Sequence, residues 1–131
     1  MVTKTRDFSG RPPEVRQSFQ LRQWLFMRVS GVILLFLALG HLAVQHVFNS
    51  VVDLDYDFVA ARWSSTFWRT WDWLLLVLAI AHGANGARVL VEDYVRSPRR
   101  RLLTLGLLGT VAAVTIALGT VVVFTFDANA G

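Results

Sequence analysis

Three long runs free of Asp, Glu, Lys and Arg, at residues 29–52, 73–87 and 102–126, limit what this chain can become more than any other feature. Each can cross a hydrocarbon core about 30 Å thick as a helix, the second once its flanks with Trp68 and Trp71 are counted. Backbone groups in lipid must be satisfied within the structure, so only helices and closed barrels span a membrane. The runs lack the strict alternation of barrel strands. The expectation is therefore an all-α membrane protein with three transmembrane helices, at about 21–50, 68–95 and 101–126. Composition agrees, since 54% hydrophobic and 17% charged residues over 131 positions exceed what a soluble domain of this size buries.

Arg and Lys set the expected orientation. Lys4, Arg6, Arg11, Arg16, Arg22 and Arg28 precede or open the first run, and Arg88, Arg96, Arg99, Arg100 and Arg101 follow the second. The remaining two, Arg62 and Arg69, share the intervening loop with Asp53, Asp55 and Asp57. The positive-inside rule then puts the N-terminus in the cytoplasm and the C-terminus outside. Basicity is thus accounted for by topology, and no nucleic-acid partner is expected. The first apolar run begins late and is too long for a cleavable signal peptide. With no cysteine, disulfides, thiolate-ligated iron–sulfur clusters and cysteine nucleophiles are excluded from this chain.

Residues 1–20, with Gly10 and the Pro12-Pro13 pair, read as a cytoplasmic arm, and residues 21–131 as the membrane domain. Trp24 and Arg28 fall at one headgroup boundary. The loop SVVDLDYDFVAARWSS can hold a short interfacial turn, and Trp63, Phe67, Trp68, Trp71 and Trp73 read as an aromatic belt. Ser97-Pro98 breaks the chain before the third helix. That helix reads as a packing element, with Gly106, Gly109, Ala112 and Ala113 allowing close approach.

An ionisable group inside a span marks a functional site by default. His82 lies about 18 Å of helix from Tyr94, near mid-membrane, and Gly86, Val89 and Asp93 share its face of the helical wheel. A neutral imidazole suits haem iron, and a glycine one turn away leaves a flat place for a macrocycle. The plainer alternative is a histidine bonded to a neighbouring helix.

The segment from Trp73 through HGANGAR to Asp93-Tyr94, the three-span layout and the RVSG at residues 28–31 resemble the D-type hydrophobic membrane anchor of succinate dehydrogenase, or succinate:quinone oxidoreductase. The resemblance implies His82 as an axial ligand of haem b, with the second ligand from a companion anchor of the C type. It also implies Tyr94 as hydrogen-bond donor to a quinone carbonyl, ubiquinone or menaquinone, with Asp93 beside it. FAD and iron–sulfur clusters would reside only in the flavoprotein and iron–sulfur partner subunits, so this chain holds no catalytic residue and catalyses nothing alone. The implied location is the bacterial cytoplasmic membrane.

Arg28 and Ser30 are further candidates for the quinone pocket, on the expectation that they share the depth of Tyr94. Arg88 is a candidate for a haem propionate, against snorkelling to headgroups. In helix one, His41 or His46 could serve a second, outer haem; interhelical hydrogen bonding for His41 and surface exposure for His46 are the simpler readings. Alternatives for the whole chain are a cytochrome b-type anchor of a fumarate reductase or another membrane oxidoreductase, and a structural membrane protein without a cofactor.

Overall fold

The computed structural model describes residues 13–50, 52 and 54–127, with side chains from residue 18 onward. Helix α1 spans Pro13–Leu42 and continues into a π-helical turn, Ala43–Val47. A short helix α2, Tyr56–Ser64, precedes α3 at Thr66–Tyr94 and α4 at Pro98–Thr125. The described residues contain no strand, and three segments are long and apolar enough to cross a membrane: Ser18–Val47, Thr66–Tyr94 and Pro98–Thr125. The chain is an all-α, three-helix, multi-pass membrane protein.

Local chemistry explains the limits. Proline needs no helical N–H partner at a first turn and has its φ preset, so Pro13 opens α1 and Pro98 opens α4. Residues 13–20, expected in the arm, are therefore helical, while residues 1–12 of that arm lie outside the described residues. The loop expected to hold only a turn carries α2, which Asp55 caps by accepting from Phe58 N–H at 2.9 Å. At the end of α1, Phe48 N–H donates to Ala43 O at 3.0 Å, and Asn49 Nδ2 donates to Val44 O at 2.6 Å. The asparagine amide thus satisfies a carbonyl that the widened turn leaves free.

Helix α3 packs against α1, α2 and α4. Few of the described residues are buried: Leu37, Ala60 and Val123 among the apolar ones, Ser30 and Arg62 among the polar ones. Such an outside suits lipid or other subunits. Close approach between helices occurs at two glycines: a Cβ on Gly40 would stand 2.7 Å from the Trp71 ring, and one on Gly119 would collide with the Leu76 side chain. Gly106 and Gly109, expected to serve such contacts, face open space in this chain.

Two of the tryptophans expected to mark a headgroup belt spend their N–H groups inside the bundle. Trp71 Nε1 donates to Leu37 O at 3.3 Å and Trp73 Nε1 to the Thr120 hydroxyl at 3.0 Å. An indole donor in apolar surroundings needs such an acceptor.

Candidate functional site

The seam between α1 and α3 brings His82 against Ser30. Ser30 is the most buried side chain described, 2% exposed, and its Oγ lies 2.8 Å from His82 Nδ1. The same oxygen donates to Phe26 O at 2.6 Å, one turn back in α1. A serine hydroxyl has one proton and two lone pairs. With that proton directed to the shorter contact, Ser30 accepts from His82 Nδ1–H, and the His82 lone pair then resides on Nε2. That nitrogen has no hydrogen-bond partner among the described residues. Gly31 faces the ring without crowding it: a Cβ there would lie 3.5 Å from His82 Cε1, an ordinary contact.

Further along the seam, Gln23 Nε2 donates to Asn85 Oδ1 at 3.2 Å, and the Met27 methyl lies 3.8 Å from where a Gly86 Cβ would be. The flat place expected at Gly86 is thus partly filled by a flexible thioether, a side chain that adapts readily to a new neighbour. Two grooves flank this seam. One, of about 340 Å³, is apolar and lined by Arg22, Leu25, Phe26, Val29, Ser30, Ile33 and Leu78. The other, of about 400 Å³, is lined by Gln20, Gln23, Trp24, Met27, Arg28, Asn85 and Val89.

This register corrects one expectation. Ser30 stands opposite His82, about 18 Å of helix from Tyr94, so Ser30 and Tyr94 do not share a depth. The reason is the antiparallel run of α1 and α3, whose far end is marked by Arg88 lying 5.2 Å over the Phe19 ring. Arg28 lies two residues from Ser30 on the side toward Phe19; its guanidinium covers the Trp24 ring at 4.3 Å, and the residue lines the groove that Asn85 and Val89 share. Arg88 donates to Glu92 at 2.8 Å, an i,i+4 pair in which both side chains are partly exposed. Tyr94 is 81% exposed, and Asp93 is exposed beside it.

A second polar cluster lies at the opposite end of the bundle, centred on a residue that sequence reasoning passed over. Asp72 Oδ1 accepts from Arg62 Nη2 at 2.7 Å and His41 Nδ1 at 3.1 Å; its Oδ2 accepts from Arg62 Nε and Trp63 Nε1, each at 3.0 Å. Arg62 also lies over the Trp68 ring at 4.5 Å, and its Nη1 is buried without a partner among the described residues. The cluster ties α1, α2 and α3 together. His41 is therefore engaged between helices, whereas His46 is exposed on the π-helical turn. The signal was an acid between two tryptophans, WDW, inside a span, with an arginine and a histidine in reach.

Among the described residues no group of three or more His, Cys, Asp or Glu side chains could hold a metal ion. The donor set at His82 is instead a single nitrogen held in one orientation. The family model for the succinate dehydrogenase/fumarate reductase transmembrane subunit matches residues 4–121. The chain belongs to this family. No curated protein matches the chain. As a family member it is a membrane anchor of a succinate dehydrogenase or fumarate reductase, within a complex that includes catalytic and iron–sulfur subunits.

Proposed function

We propose that the chain is the D-type anchor of a succinate dehydrogenase in a bacterial cytoplasmic membrane, with its N-terminus in the cytoplasm. In this reading it offers His82 as one axial ligand of haem b and Tyr94 with Asp93 as part of a quinone site. A companion anchor supplies the second axial ligand, and flavoprotein and iron–sulfur subunits supply the electrons. The observation that carries the reading is the Ser30–His82 contact: a buried hydroxyl fixes the ring so that Nε2 presents a lone pair.

The residues present fit a haem better than a metal ion that needs several protein ligands, because one oriented imidazole is all that one helix must contribute. Bound there, haem b supplies a one-electron centre within the membrane. His82 orients the group, and Met27 must swing aside if the macrocycle covers Gly86. Arg28, nearer His82 in depth than Arg88 and not ion-paired among the described residues, is the better cation for a propionate; Arg88 is held by Glu92. Ser30 is withdrawn from the quinone wall by its depth.

At the other end, the exposed Tyr94 phenol can donate to a carbonyl of ubiquinone or menaquinone, and Asp93 can accept or deliver a proton beside it. Replacing His82 with alanine should remove or shift the reduced b-type absorption band of the purified complex; an unchanged band refutes the ligand assignment. Tyr94→Phe should lower succinate:quinone reductase activity while succinate oxidation with a soluble artificial acceptor persists. Equal activities in both assays would place the quinone elsewhere.

Asp72 holds His41 by Nδ1, which leaves the His41 Nε2 lone pair free in the same manner. A haem-to-complex ratio of two would assign a second iron to His41; a ratio of one leaves His41 as a donor to Asp72. This orientation favours His41 over the exposed His46.

A further inference from the structure

We infer that Ser30 is a positioning residue for His82 that sets the tautomer of the imidazole and lowers the reduction potential of the iron it ligates. The inference rests on the reading of His82 as an axial ligand, and it assigns Ser30 a role distinct from the quinone contact expected of it from sequence. Three observations carry it. Ser30 is 2% exposed, so no water competes for its oxygen. Its proton has a backbone acceptor at 2.6 Å, Phe26 O, which orients a lone pair toward the ring. That lone pair meets His82 Nδ1 at 2.8 Å, a full hydrogen bond across two helices.

The chemistry follows from the chain Phe26 O, Ser30 O–H, His82 N–H. Each bond polarises the next, and an imidazole that donates from Nδ1 is more basic at Nε2. A more basic ligand favours the oxidised iron, and the potential falls. The bond also removes rotational freedom from the ring. The outcome is an axial ligand in place before any cofactor arrives.

The test uses the intact complex with Ser30→Ala, Ser30→Cys and Ser30→Thr, read by potentiometric titration of the b-type band, by haem content and by the low-spin ferric resonance signal. Alanine removes the acceptor. Cysteine keeps the approximate size and replaces oxygen by a weak sulfur acceptor. Threonine keeps the hydroxyl, with the apolar groove beside Ser30 to take its methyl.

The expected result is a midpoint shifted positive in the alanine and cysteine variants, an altered ferric signal, and near-native values for threonine. Haem affinity should fall by about 10–100-fold in the alanine variant, the usual cost of removing such an outer partner. Should the alanine variant fail to assemble, the cysteine and threonine pair decides. Equal midpoints in native, cysteine and threonine complexes overturn the inference while leaving His82 as ligand. An unchanged band in His82→Ala removes the ligand itself, and this inference falls with it. A merely structural serine would alter assembly or stability without moving the midpoint of the haem that remains.

Discussion

Asp72→Asn is the substitution whose consequence can be worked most directly. The change keeps the shape of the side chain and removes its charge. In the native chain each carboxylate oxygen accepts two N–H groups, from Arg62 and His41 on one side and from Arg62 and Trp63 on the other. An asparagine can offer only one oxygen; its NH₂ would face either Arg62 and Trp63 or Arg62 and His41, and in both cases meets an Arg62 donor that cannot accept. Arg62, with its side chain 7% exposed, would then be a buried cation without a counter-charge.

Removing one partner of a buried pair costs about 3–5 kcal/mol, chiefly through the charge left behind. The loss should appear as a lower unfolding midpoint of the detergent-solubilised complex and as faster proteolysis within α2, which Arg62 and Trp63 hold to α3. The double variant Arg62→Leu/Asp72→Leu should recover much of the loss, because apolar replacement of both partners removes the desolvation penalty along with the attraction. A loss below about 1 kcal/mol for Asp72→Asn, the range of exposed pairs, would refute the view of this cluster as a buried ionic hub.

Other perturbations separate tight from loose contacts. Gly40→Ala should destabilise by about 1–3 kcal/mol in the same unfolding assay, since its methyl would stand 2.7 Å from a rigid Trp71 ring that is itself bonded to Leu37 O. Gly31→Ala should retain the b-type spectrum, because its methyl would meet His82 at an ordinary 3.5 Å, whereas Gly31→Leu should perturb it. Trp73→Phe should cost about 0.5–1.5 kcal/mol through the lost bond to Thr120. Glu92→Gln should change stability by no more than about 0.5 kcal/mol, because the Arg88 pair is a partly exposed i,i+4 contact.

The three spans were legible because lipid imposes one demand on every residue of a run, and a charge-free stretch declares it without reference to anything distant. His82 was legible for the converse reason: a titratable ring within such a run stands out. Partners were not. Nothing in local sequence ties Ser30 to His82, which are far apart in the chain, and wheel geometry fixes a face without fixing register between helices. The expectation that Ser30 shares the depth of Tyr94 failed on that register.

Asp72 was obscured by its setting, since an acid amid four tryptophans reads as the edge of a span until Arg62 and His41 are seen to converge on it. The Pro12-Pro13 pair contributed to the reading of residues 1–20 as an arm, although a proline is welcome at the first turn of a helix, and α1 begins at Pro13. The N-cap of α2 was visible in principle as Asp55 ahead of an aromatic and aliphatic stretch.

The widened turn at Ala43–Val47 gives the C-terminal end of α1 a built-in tolerance to changes of length. Deleting one residue from it would let the turn close to ordinary α-helical winding, with Asn49 no longer needed at a spare carbonyl. Everything before it, including the faces that carry His41 and Ser30, would keep its heading. Only the path toward α2 would be re-aimed, so related chains can differ by a residue at this point and still bring the same imidazoles to the same neighbours.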